Sequence, residues 1–213
     1  MASINSVTGP IDSADLGFTL MHEHVLVAAS GLTQSYPDLL GQNYESRAID
    51  CLKKAKANGI DTMLDATTFD LGRDPRLLQR VAAASGVNLI NVTGWWLDVP
   101  RFMHGVGANQ MADEFIRDLT EGFRGTDIKA GMLKCAADFE GVTPPLETMA
   151  RAVARAHVQT GVPIMVHSYP TGQVGRRQIQ IFREEGVDLS RVKIDHCNDT
   201  TDTEYLQWIL DQG

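Results

Sequence analysis

The sequence is short of cysteine, long apolar runs and clustered positive charge, and each shortage excludes a class of function. Its three cysteines, Cys51, Cys135 and Cys197, are odd in number and widely spaced, so they make no disulfide framework. No apolar run reaches the ~18 residues of a membrane span, so no transmembrane helix is expected. The N-terminus lacks a basic segment followed by an apolar one, so no signal peptide is expected and a cytoplasmic enzyme is the default. Lys plus Arg total 19 against 27 Asp plus Glu, a net charge of −8. That balance, with no basic cluster, argues against nucleic acid as a partner. No GxGxxG follows the first expected strand, which speaks against a dinucleotide site.

What remains is an ordinary globular composition, 43% hydrophobic and 22% charged in 213 residues, enough for one domain with a sizeable core. A strand–helix alternation runs through it. Strands are expected at Gly17–His24, Ile60–Ala66, Val87–Thr93, Ala130–Lys134, Val162–His167 and Val192–His196. Helices are expected at Tyr44–Asn58, from a cap at Asp74 to Gly86, at Gln110–Phe123, from a cap at Thr143 to Gly161, at Gly175–Glu185 and at Thr203–Gln212. Pro75 and Pro144 sit at first-turn positions. Gly59, Gly86, Gly161 and Gly186 each stand where a helix hands over to a strand, and Gly213 falls in the same place after the sixth helix. Six βα units argue for a parallel α/β sheet, either doubly wound or a TIM-type barrel, whose closed form has eight units in ~250 residues. A single incomplete barrel domain over 1–213, about two units short of closure, is the expectation.

The reactive residues favour the barrel, because barrel active sites sit at the C-terminal ends of the strands. His22 and His24 close the first strand and share one face, about 7 Å apart along it, with Glu23 opposite. Lys134, His167 and His196 are expected to end the fourth, fifth and sixth strands, each after a short apolar run. A lone histidine after such a run is usually a satisfied core residue; four histidines and a lysine at strand ends point to metal. His157, on the fourth helix, reads as packing, and His104 as a solvated loop residue. A charged lysine would repel a cation, so Lys134 needs a different state. A depressed pKa would let it form a Schiff base. A neutral amine could instead add CO2, giving a carbamate whose two oxygens bridge two metals, and the histidines favour that choice.

The segments GFTLMHEH, TFDLGRD, TGWWLDVP, AGMLK, GVPIMVH and IDHCNDT resemble, in order and over essentially the whole chain, those of the phosphotriesterase family of the amidohydrolase superfamily. The resemblance implies a binuclear metal-dependent hydrolase of phosphotriester, lactone or other ester bonds, acting through a metal-bridging hydroxide. It implies that His22 and His24 hold the more buried ion, that N6-carboxylated Lys134 bridges both, and that His167 and His196 hold the more exposed one. Asp199 resembles the outer member of the family's proton relay, and Trp96 and Asp98 match its third-strand mouth. Trp95, Trp96, Phe102 and Tyr169 suggest an aromatic-lined entrance, and GWWLD looks closer to the organophosphate-hydrolysing members than to the lactonases. Zinc is the first choice of metal, with cobalt, manganese and iron admitted. A small-molecule ester is the expected partner, and a homodimer is compatible with this reading; neither nucleic acid nor a membrane is expected.

The family's eighth-strand aspartate ligand and seventh-strand relay histidine have no counterpart here, and Asp202 and Asp211 do not substitute for them. Two other readings stand beside the hydrolase: a Schiff-base lyase using Lys134, and a non-catalytic barrel remnant associating through open edges of its first and sixth strands. Asp70 and Arg73 are expected to pair, Arg183, Glu184 and Glu185 to form a solvated helix end, and Cys135 and Cys197 to be buried small apolar residues.

Overall fold

The apolar spacing and end signals fold as helices over nearly the expected residues. In the computed structural model, which describes residues 2–213, the chain forms two compact units, residues 2–93 with 117–131 and residues 94–116 with 132–213.

The first unit opens with an antiparallel hairpin that sequence patterning missed, β1 (Ser3–Ser6) and β2 (Gly9–Asp12). Val7, at its turn, is buried and its N–H donates to the Leu89 carbonyl at 2.9 Å. Three strands follow, β3 (Thr19–Glu23), β4 (Thr62–Asp65) and β5 (Asn88–Gly94), pairing in parallel in that order. The β3–β4 register shifts between Leu20 and Glu23, the stretch that contains His22. A one-turn helix α1 (Leu32–Ser35) precedes α2 (Tyr44–Ala57) and α3 (Pro75–Ser85). At the start of α3, Asp74 accepts from the Leu77 N–H at 2.9 Å, with Pro75 following it. Leu77, Leu78, Val81, Ala82 and Ser85 form the buried face of α3, and Gly86 ends it at φ 76°, a conformation that favours glycine.

Helix α4 (Ala108–Thr120) starts two residues before the expected helix and stops short of Phe123. Gly122, at φ 123°, breaks the run. The second unit has parallel strands β6 (Met132–Ala136), β7 (Ile164–His167) and β8 (Val192–Ile194), again in order. Helix α5 (Pro144–Thr160) buries Leu146, Met149, Ala150 and Val153 along with Ala152, Ala154, Ala156 and His157. Thr143 occupies the cap position of α5 without a side-chain cap bond. Helices α6 (Gly175–Glu184) and α7 (Thr203–Leu210) complete the unit.

Two strand boundaries correct the sequence reading. Lys134 does not end its strand: β6 continues to Ala136, because Cys135 and Ala136 keep pairing with Val166 and His167. β8 ends at Ile194, and His196 leaves it in the left-handed region at φ 63°. Among the described residues no helix is long and apolar enough to cross a membrane.

Phe182, on the inner face of α6, is fully buried. Phe182→Ala is expected to destabilise the protein by about 3–5 kcal/mol, read as a lowered urea midpoint at unchanged slope.

Candidate functional site

In the first unit, His22 and His24 lie together at the C-terminal end of β3, their rings edge to face with centroids 5.5 Å apart. His24 Nδ1 is 2.9 Å from Thr67 Oγ1. The Thr67 hydroxyl donates to Asp65 Oδ1 at 2.7 Å, and the same oxygen accepts from the Val25 N–H at 3.3 Å. Burial pushes the Asp65 carboxyl up to about 6, against the pull of its hydrogen bonds and of Arg73. Arg73 is itself lowered to about 10 by burial, with Asp118, Asp70 and Asp65 opposing that shift. Its guanidinium donates to the Val92 carbonyl at 2.9 Å, lies 3.7 Å from Asp118 and stacks over the Phe123 ring at 4.1 Å. The expected Asp70–Arg73 pair is thus one part of a larger buried group in which Asp118 also takes part.

In the second unit, Lys134 is 1% exposed and its ammonium donates to Asp195 Oδ2 at 2.9 Å. Burial lowers the Lys134 pKa, and Asp195 opposes the shift through charge and hydrogen bond. Lys193 reaches the other oxygen of the same carboxylate. The His167 and His196 rings stand edge to face with centroids 4.5 Å apart, and the Trp96 ring lies 5.7 Å from His167. Burial lowers the His167 pKa, followed by repulsion from His196; its Nε2 is 3.2 Å from Asp138 Oδ2, which acts the other way. Asp199 Oδ2 is 3.5 Å from His196 Nδ1.

The second unit therefore gathers Lys134, His167, His196, Trp96 and Asp199, and the first unit pairs His22 with His24. Among the described residues no three His, Cys, Asp or Glu side chains form a metal cage on their own. The remaining expectations divide. Asp98 and Tyr169 are exposed and Phe102 is 77% exposed, whereas Trp95 is buried and its N–H donates to the Lys134 carbonyl at 3.2 Å. Leu97 and Val99, beside it in sequence, pack on Ala137, Leu146 and Val174. His157 is buried with Nδ1 2.8 Å from the Val162 carbonyl, and His104 is exposed, both as expected.

Two expectations need amending. Arg183 and Glu184 are exposed, as a solvated helix end should be, and Glu185 is half-buried, but the carboxylates also have partners: Arg151 bonds both, at 2.6 and 2.9 Å, and Arg155 joins Glu185 at 2.8 Å. Cys135 is buried, but Cys197 is only partly so, because the chain has left β8 before reaching it. Residues with a clear place in the site that sequence reasoning passed over are Asp65, Thr67, Asp138 and Asp195. Asp195, next to His196 in sequence and the acceptor for buried Lys134, could have been found by asking what neutralises that lysine.

A model of the phosphotriesterase family matches residues 2–213. The chain is 45% identical over 224 residues to the phosphotriesterase homology protein of Mycobacterium tuberculosis, covering 100% of this chain and 69% of that protein. The chain belongs to the phosphotriesterase family. Within the family it is also 40% identical over 206 residues to the aryldialkylphosphatase of Saccharolobus solfataricus, covering 95% of this chain and 66% of that one. The solved structure of the phosphotriesterase from Mycobacterium tuberculosis matches with a TM-score of 0.95 at 44% identity, over 100% of this chain and 69% of that chain. The phosphotriesterase-family chain thus has the TIM-type α/β fold, contributes six of the barrel's strands, and is placed among metal-dependent hydrolases.

Two measurements follow from the site's surroundings. Gly94 has φ 117°, and a Cβ there would fall on the Lys134 carbonyl. Gly94→Ala is expected to cost about 1–3 kcal/mol in thermal or urea unfolding. Burial pushes the Cys135 thiol up to about 12, whereas Cys51 is exposed. At pH 8 a thiol reagent is expected to label Cys51 quickly and Cys135 only after denaturation, as peptide mapping would read.

Proposed function

We propose that the chain's chemistry is the hydrolysis of phosphotriester, lactone or other carboxyl ester bonds in a small-molecule substrate, with His22, His24, Lys134, His167 and His196 as the ligands of two divalent ions. The observation that carries the proposal is the state of Lys134: a desolvated amine, its pKa lowered by burial, in the unit where two imidazoles stand ring to ring and His167 is biased towards its neutral form.

The donor set fits such ions. A neutral imidazole is a ligand and a protonated one is not. Burial, with repulsion from His196, biases His167 towards the ligand form. The amine of Lys134 becomes a donor by another route. Once neutral, it attacks CO2, forms the N–C bond and releases one proton, giving a carbamate anion with two oxygens. Asp195, which now holds the ammonium, is the nearest proton acceptor to that nitrogen. Divalent ions bound here would supply Lewis acidity and lower the pKa of a water, the chemistry that ester cleavage at neutral pH requires. Zinc suits imidazole-rich ligation best, with cobalt, manganese and iron as alternatives.

The other residues serve the substrate and the proton. Asp199, beside His196 and exposed, is placed to pass a proton to solvent. Trp96, whose ring stands edge to face with that of His167, forms the apolar side of the entrance, and Trp95 is buried. Asp98 and Tyr169, both exposed, are left to meet the substrate from the rim.

The test is metal content per chain after growth in zinc and bicarbonate, beside a Lys134→Ala sample, with activity assayed on a phosphotriester, a lactone and a carboxyl ester. About two metals per parent chain and their loss in the variant are expected. Equal metal in both proteins would remove Lys134 from the ligand set. Trapping of a carbonyl substrate on Lys134 by borohydride would replace the hydrolase with a lyase.

A further inference from the structure

Thr67 and Asp65 belong to no ligand set, yet each is 1% exposed and they join end to end behind His24. We propose that this pair is a positioning device that fixes the tautomer of His24, holding the proton on Nδ1 and leaving Nε2 as the lone-pair nitrogen.

The direction of each hydrogen bond gives the assignment. A contact between an imidazole nitrogen and a hydroxyl is ambiguous alone, because either atom can donate. The ambiguity is removed at the far end of the chain. Asp65 Oδ1 takes the backbone N–H of Val25, which can only donate, so that oxygen is an acceptor. The Thr67 hydroxyl lies 2.7 Å from the same oxygen and gives it its single proton. With that proton committed, Thr67 Oγ1 can only accept from His24 Nδ1, 2.9 Å away. Nδ1 therefore carries hydrogen, and in the neutral ring Nε2 carries the lone pair.

The geometry also resists rearrangement. Asp65 is the last residue of β4 and is paired with Glu23 in β3, so its carboxylate is held by the sheet itself. Thr67 is β-branched and buried, with few alternative rotamers. A free imidazole in water favours the opposite tautomer. Without Thr67, His24 would have to change tautomer or turn its ring before Nε2 could serve as a donor nitrogen. The functional consequence rests on His24 being a metal ligand; the tautomer itself does not.

The experiment separates the two. Long-range proton–nitrogen correlation spectra of the 15N-labelled, chelator-treated full chain at pH 8 read which His24 nitrogen is protonated. A protonated Nδ1 and a bare Nε2 are expected in the parent and in Thr67→Ser, which keeps the hydroxyl. Thr67→Val is expected to shift His24 towards Nε2–H. A parent His24 protonated on Nε2 would overturn the assignment, and that spectrum decides it whether or not the valine variant folds. Zinc titration of the same samples should then show affinity about 10–100-fold weaker in Thr67→Val and near the parent's in Thr67→Ser. Equal zinc affinity in all three would overturn the positioning role. A parent that binds no zinc while showing the expected tautomer would instead overturn His24 as a ligand.

Discussion

Lys134 sits in the middle of an apolar strand with 1% of its surface exposed, and an ammonium so placed must either lose its proton or find an anion. The sheet supplies the anion as Asp195, just past the end of β8, and Lys193 reaches that carboxylate from its other side. Such a pair contributes little net stability, since desolvation cancels most of the attraction, but removing one partner costs about 3–5 kcal/mol. The charge on Lys134 also bears on His167, and Asp195 immediately precedes His196. One unfavourable burial thus reaches the electrostatics of His167. The proposed chemistry would use it: an amine that is expensive to protonate is one that can accept CO2.

The first unit handles its buried charge differently. There a guanidinium, Arg73, is surrounded by Asp118, Asp70 and Asp65, and stacks on Phe123. Several weak partners share one cation, and the Thr93 hydroxyl satisfies Asp118 at 2.7 Å. In this arrangement Asp65 is tied to the backbone of β3 and, through Thr67, to His24. The carboxylates of the first unit position side chains, whereas Asp195 in the second neutralises one.

The sequence made the βα alternation, the family and the cluster of histidines near strand ends legible, because apolar periodicity, Gly–Val handovers and histidines after apolar runs are local signals. It did not show the length of β6, since Cys135 and Ala136 pair with β7 by contacts invisible to a single strand's pattern. Nor did it show that His196 would turn to φ 63°, a cost that only the surrounding structure justifies. The ion pairs of Glu184 and Glu185 went unseen because their partners, Arg151 and Arg155, lie 33, 34 and 30 residues away along the chain. Asp65 and Thr67 escaped notice for the same reason: His24 meets Thr67 across 43 residues, and their role exists only as a bond direction.

The N-terminal hairpin carries a further consequence. Asn5 donates its side-chain N–H groups to the carbonyls of Leu119 and Ala130, across 114 and 125 residues of chain. Between those points the chain leaves the first unit for residues 94–116 of the second and then returns. Contacts of such separation carry a large loop-closure entropy and slow folding. On the ribosome the hairpin emerges well before Leu119 and Ala130, and Asn5 cannot acquire both partners until Ala130 has left the exit tunnel. The hairpin thus waits on a segment made 114 to 125 residues later, and chaperone occupancy during translation is where that delay would register.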